Sequence, residues 1–265
     1  MFCDEEARIR SWRVQSPETE GFHTVISPEK DDCQVSAIYR LNLDRGSQYL
    51  LETGEQEMSV NLVKGSAAIN CPQLSQRSMN KLDSFYLPGR HQITITATES
   101  CIFYIGAAVC EGYGKAIFRK FDPNLPLGDV HQIHGKGVGQ REVMFTLTPQ
   151  DAASRLICGF TWGGQGAWTS WPPHQHEKDL EEVYCYFDMD APNLGFHVSY
   201  LRSGESGYAV AHPVQSGTMI MAPRGYHPTV AFPGTRNTYL WVLAAHSHES
   251  RRYDLAILDP EYADR

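Results

Sequence analysis

The sequence predicts an all-β protein built as two tandem β-barrels of the jelly-roll type, with few short helices. Three observations carry that expectation. Twenty-two glycines and 15 prolines punctuate short runs rich in Val, Ile, Tyr, Phe and Thr, at the regular spacing of strands in a sandwich or barrel. Stretches with the 3.6-residue period of a helix are scarce and short. The two halves also echo each other, each reading strand, proline turn, histidine, strand, turn, strand and Ala-Ala. A length of 265 residues allows one large β domain or two compact halves at about 150 residues per domain. The echo selects two, over residues 1–125 and 126–265.

The chain opens MFCDEEARIR, with acidic residues where a secretory signal needs a basic stretch and then an apolar one, so no export is expected. In the first half, strands are expected over Gln34 to Leu41, over Glu57 to Gly65 with a glutamate at its head, over His91 to Thr98 and over Cys101 to Ala108. Ser75 to Leu82 and Pro149 to Arg155 are the segments read as a turn or two of helix. Between the halves, Gly112 to Gly139 is loop-like, with Pro123, Pro126, Gly128, Gly135 and Gly137. Its Gly135-Lys-Gly-Val-Gly139 lacks the strand-before, helix-after context of a dinucleotide loop. In the second half, strands are expected over Glu182 to Phe187, Gly195 to Leu201, Gly217 to Ala222 and Thr238 to Ala245.

Composition narrows the function classes. Twenty-three basic against 31 acidic residues give a net charge of −8, which repels phosphate backbones and anionic membrane surfaces; neither nucleic acid nor membrane is an expected partner. Apolar runs such as Cys101 to Cys110 fall far short of the roughly 20 residues that span a bilayer. Seven cysteines, Cys3, Cys33, Cys71, Cys101, Cys110, Cys158 and Cys185, are odd in number and without paired spacing. They read as small hydrophobes in a reducing cytoplasm.

Chemistry concentrates in Trp171-Pro-Pro-His174-Gln-His176, Glu181-Glu182 and His227. Two imidazoles at i and i+2 on an extended segment point the same way. A carboxylate from the next strand and a histidine from a returning strand complete three nitrogens and one oxygen. That set suits one divalent cation, Zn²⁺ or Mn²⁺ foremost, with Fe²⁺ or Ni²⁺ also compatible, and the lack of nearby thiolates favours an open, reactive site. Adjacent strand residues face opposite ways, and the register Glu-Val-Tyr-Cys-Tyr favours Glu182, with Tyr184 and Tyr186 on its face. His91 has no partner histidine and reads as structural. His246 with His248 lacks a distant third ligand, and His131 with His134 reads as loop.

These motifs resemble the cupin superfamily, and the duplication resembles a bicupin. More narrowly, Trp171-Pro-Pro-His-Gln-His-Glu, Leu180-Glu-Glu-Val-Tyr184, Ala222-Pro-Arg-Gly-Tyr-His-Pro228 and Tyr239-Leu-Trp-Val-Leu-Ala-Ala245 resemble the 5-deoxy-glucuronate isomerase family of inositol catabolism. The related uronate ketol-isomerase of pectin breakdown shares Glu-Val-Tyr-x-Tyr-Phe, which again selects Glu182. The resemblance implies a metal-dependent aldose–ketose isomerase turning 5-deoxy-glucuronate into 2-deoxy-5-keto-gluconate, with the hexosulose-uronate ketol-isomerase reaction as the alternative. A non-haem iron dioxygenase can use the same four ligands, and a non-catalytic sugar-binding cupin is the alternative outside enzymes, since barrel mouths bind ligands without chemistry.

Such an isomerisation needs a base near the C2 proton. The sequence leaves open a metal-bound hydroxide, Tyr184, Tyr186, Tyr226 or His197. The substrate carboxylate needs a cation, for which Arg202 and Arg224 are the candidates. A small sugar acid is the expected partner, and a homo-oligomer is compatible with the sequence.

Overall fold

The computed structural model describes residues 2–262. In the first half, a six-stranded antiparallel sheet runs in the order Ile117–Arg119, Ser84–Leu87, Gln56–Lys64, Cys101–Val109, Ala37–Leu43, Gly21–Ile26. A four-stranded sheet, Gln48–Glu52, Gln92–Ala97, Ser66–Asn70, Arg77–Asn80, covers one of its faces. The smaller sheet has one wet face, and Gln92–Ala97 alternates accordingly, with Ile93, Ile95 and Ala97 buried. In the larger sheet, Gln56–Lys64 and Cys101–Val109 are buried along most of their length. Val60, Leu62, Phe103 and Ile105 face the smaller sheet, while Val63, Tyr104 and Ala108 face the second half.

The second half repeats the plan. A seven-stranded sheet runs Arg13–Gln15, Thr218–Ala222, Leu180–Tyr186, Arg236–Ala245, Leu156–Gln165, Arg141–Leu147, His131–His134. Opposite lie Trp168–Thr169, Thr229–Ala231, Gly195–Ser199 and Val210–Val214. The two large sheets pack back to back around Ile38, Tyr104, Cys158, Phe160, Val183 and Val242. A Cβ at Gly106 would stand 2.7 Å from the Val242 side chain, so glycine is what lets these sheets approach. Cys33, Cys71, Cys101, Cys158 and Cys185 are free and buried, as small hydrophobes.

Two expectations need correction. The helix lies at Phe2–Ser11, with Asp4 and Glu5 in its first turn and Arg8 and Arg10 in its last, matching the helix dipole. Ser75 to Leu82 instead contains the strand Arg77–Asn80, and Pro149 to Arg155 is a turn pinned by the Asp151 carboxylate on Thr148 N and Oγ1. Arg13–Gln15 pairs with Thr218–Ala222 and covers what would be an open sheet edge of the second half.

Two buried carboxylates join the halves reciprocally. Glu57 accepts the backbone N–H groups of Ser154, Arg155 and Leu156 at 2.6, 2.6 and 2.8 Å, and the Tyr86 hydroxyl at 2.6 Å. Glu181 accepts those of Gln34, Val35 and Ser36 at 2.7, 2.8 and 2.5 Å. In each clamp, Oε2 takes the first N–H and Oε1 the next two. Glu57 stands opposite Ala108, and Glu181 opposite Ala244. The structural counterpart of Glu57 is therefore Glu181, one residue before the match that the strand-head glutamates suggest in sequence, and the counterpart of Glu182 is Met58.

Candidate metal centre

His174 and Gln175 form a short strand paired with Leu258 and Ile257, which holds the Trp171-to-His176 segment extended. His174 and His176 therefore project together, their ring centroids 5.0 Å apart. Leu180–Tyr186 presents Glu182, and the turn after Thr218–Ala222 delivers His227, whose ring lies 4.8 Å from His174 and 5.5 Å from His176. One donor atom from each of His174, His176, Glu182 and His227 lies within 4.8 Å of the others. Glu181 faces away into its clamp, as strand alternation requires.

Two of the three histidines are held in one tautomer, while Nδ1 of His176 is buried without a partner. Nδ1 of His174 donates to Pro172 O and Nδ1 of His227 to Gly225 O, both at 3.0 Å, an assignment from the acceptor each meets. That leaves the Nε2 lone pairs for the centre, the usual outer arrangement of a metal-bound imidazole. Nε2 of His227 is buried without a hydrogen-bond partner, although it lies 3.1 Å from Oε2 of Glu182. Burial, with His227 and His176 close by, pushes His174 well below its ordinary pKa. Burial alone would raise the Glu182 carboxyl, yet His176 and His227 hold it well below the usual carboxylate range. Three imidazoles gathered on one ionised carboxylate fit a divalent cation with three nitrogen ligands and one oxygen ligand.

His174, His176 and Glu182 open on a cavity of about 180 Å³, also lined by His134, Arg141, Trp171, Tyr184, Tyr239 and Tyr253. The family description that matches residues 12–264 is "KduI/IolB family". The chain belongs to the KduI/IolB family. Relatives named 5-deoxy-glucuronate isomerase include one from Geobacillus kaustophilus, 27% identical over 86% of this chain and 86% of its own. Another, from Bacillus subtilis strain 168, is 25% identical over 81% and 83%. Among solved structures, an IolB-like protein from Salmonella typhimurium LT2 superposes with a TM-score of 0.81 at 21% identity, covering 95% of this chain and 97% of that one. An oxalate decarboxylase from Bacillus subtilis superposes at 0.60 and 11% identity, covering 92% and 77%.

Within this KduI/IolB chain, the sequence candidates separate. Tyr184 lines the cavity and donates its hydroxyl to Oε2 of Glu182 at 3.0 Å, with Ser170 Oγ also at 3.0 Å. Burial, then the Glu182 charge, raises its pKa well above the ordinary phenol value. Tyr186 and His197 sit behind it. The Tyr186 hydroxyl meets His197 Nδ1 at 3.0 Å and Thr229 Oγ1 at 2.9 Å, and the His197 ring meets Tyr184 edge-on at 4.8 Å. Neither reaches the cavity surface, so both support Tyr184 instead of touching a substrate there. Tyr226 stacks on Tyr200 at 5.1 Å and is not among the residues lining the cavity.

Neither Arg202 nor Arg224 lines the cavity. Arg202 is on the surface, paired with Glu5 at 2.9 Å and Glu205 at 2.7 Å, and Arg224 lies beside Asp32 at 3.6 Å in a separate recess next to the Glu181 clamp. Arg202 has two carboxylates of its own, whereas Arg224 stands beside an Asp32 already bonded by Arg8 and Trp12. The cavity-lining cation is Arg141, which sequence reasoning passed over because it follows the glycine-rich connection directly. His134 likewise lines the cavity from an edge strand, not a loop. His91 is structural, its Nδ1 2.8 Å from Gly89 O.

Proposed function

We propose that this enzyme is a metal-dependent aldose–ketose isomerase that converts 5-deoxy-glucuronate to 2-deoxy-5-keto-gluconate. The observation that carries this reading is a three-histidine, one-glutamate cluster facing a small polar and aromatic cavity, in a chain whose relatives are named for that isomerase. The volume of about 180 Å³ is below the about 300–1,000 Å³ of drug-sized ligand sites, which suits a small metabolite. We also read each pair of facing sheets as a cupin-type jelly-roll barrel, making the chain a bicupin. The free thiols fit a reducing compartment, and we place the enzyme in the cytoplasm.

His174, His176, Glu182 and His227 would hold the cation, Zn²⁺ or Mn²⁺ foremost. When bound, it supplies Lewis-acid polarisation of the substrate carbonyl and charge stabilisation for the enediolate. Tyr184 fixes the Glu182 carboxylate through its hydrogen bond. Its raised pKa keeps the phenol protonated at neutral pH, so it remains a hydrogen-bond donor to Glu182 and is not the resting base. Trp171, Trp241 and Tyr253 line the cavity with apolar rings that limit water.

The test is turnover of 5-deoxy-glucuronate and of the hexosulose uronate by metal-loaded protein under anaerobic conditions. Conversion of 5-deoxy-glucuronate to the ketose is the expected result. Inactivity on both sinks the isomerase reading, and iron-dependent oxygen uptake in a parallel aerobic assay would favour a dioxygenase.

A further inference from the structure

Recognition of an anionic substrate in the cavity turns on a single cation. Among the residues lining the cavity, Arg141 is the only guanidinium or ammonium group, and Glu182, held in the histidine cluster, is the only carboxylate. Arg141 opens the strand Arg141–Leu147 opposite Gly163, and its side chain is half-buried. Its Nη1 donates to Trp171 O at 2.7 Å and reaches Gly139 O at 3.5 Å. No carboxylate of the described residues lies within ion-pairing distance, and Nε and Nη2 meet no protein acceptor among them. The charge acts on His134, Tyr239 and Tyr253, all of which line the same cavity. The guanidinium therefore addresses the cavity.

A half-buried cation without an anion is costly to keep, unless a ligand supplies the anion. A guanidinium offers a planar fork that matches a carboxylate with two parallel hydrogen bonds. The Trp171 carbonyl fixes that fork three residues before His174, tying its place to the histidine pair. With a net charge of −8, the protein as a whole repels an anionic substrate, so recognition has to be local. Resting on the sugar-acid reading above, we propose that Arg141 receives the substrate's carboxylate while the carbonyl–hydroxyl end faces the histidine cluster, which makes Arg141 the residue that selects sugar acids over neutral sugars.

The experiment compares metal-loaded wild type, Arg141→Gln and Arg141→Lys, with Arg202→Gln and Arg224→Gln as controls. It reads KM and kcat on 5-deoxy-glucuronate, calorimetric binding of D-glucuronate against D-glucose, and metal content. Hydrogen bonds to charged groups contribute about 1.5–3 kcal/mol, so Arg141→Gln should weaken uronate binding and raise KM by about tenfold or more. Metal content should be unchanged, Arg141→Lys should recover part of the loss, and both controls should behave as wild type. Unchanged KM and unchanged glucuronate binding in Arg141→Gln overturn the proposal, as does a comparable loss in Arg224→Gln. Should Arg141→Gln fail to fold, Arg141→Lys carries the test, because it keeps the charge and loses the fork. A wild type that isomerises neither uronate yet binds glucuronate through Arg141 sinks the isomerase reading alone. Isomerase activity that is indifferent to Arg141 sinks this assignment alone.

Discussion

Glu181 and Glu182 are adjacent in sequence and opposite in orientation, so their substitutions separate two roles. Glu182→Gln removes the anionic donor of the cluster and should abolish retention of a divalent metal, as should His176→Ala or His227→Ala. Glu181→Gln should retain the metal but lower stability by about 3 kcal/mol, because a neutral amide replaces a carboxylate that accepts three buried N–H groups. Metal analysis together with denaturant melts reads both effects, and metal loss in Glu181→Gln would overturn the division. The four clustered residues were legible because i, i+2 spacing and strand alternation dictate direction from sequence alone. The arginines were not, since a guanidinium's partners come from distant segments. Glu5 lies 197 residues before Arg202, and no local pattern reports such a pairing.

At the scale of elements, long buried strands announced themselves and short exposed ones did not. Arg77–Asn80 buries only Met79, so its alternation has a single apolar point and passes for a helical turn. The Phe2–Ser11 helix has few apolar positions in its ten residues, so it carries little 3.6-residue periodicity to read. Gly106 was equally silent, since nothing nearby in sequence foretells that Val242 will lie against it. Gly106→Val should force the two large sheets apart and cost about 1–3 kcal/mol, the usual range for overpacking a filled core. The Gly106–Val242 contact predicts further that Val242→Ala in the same chain restores part of that loss. Urea denaturation of the single and double variants measures the coupling, and strict additivity would refute the contact as its cause.

At the scale of the whole molecule, the N-terminal segment ties the first residues of the chain to the second half and sets a pH dependence there. His212 faces His197 across their strand pair, and its Nε2 is buried without a partner. Burial, then Arg13 and Arg10 from the N-terminal segment, lowers its pKa from 6.5 to about 4. The folded chain therefore keeps His212 neutral where the unfolded chain has begun to take up a proton. Between 6.5 and about 4 the unfolded state binds more protons, so stability is fully present above about pH 6.5 and is lost as the pH falls toward about 4. His174 and His197 shift in the same direction, adding to the loss wherever no metal holds His174. Melting temperatures of metal-loaded protein should be flat above pH 6.5 and decline below it. His212→Asn should shallow the decline. Arg13→Gln should shallow it less, because it lets the folded pKa rise toward 6.5 without relieving the burial, which is the larger cause. A decline unchanged in both variants would place the acid sensitivity elsewhere in the protein.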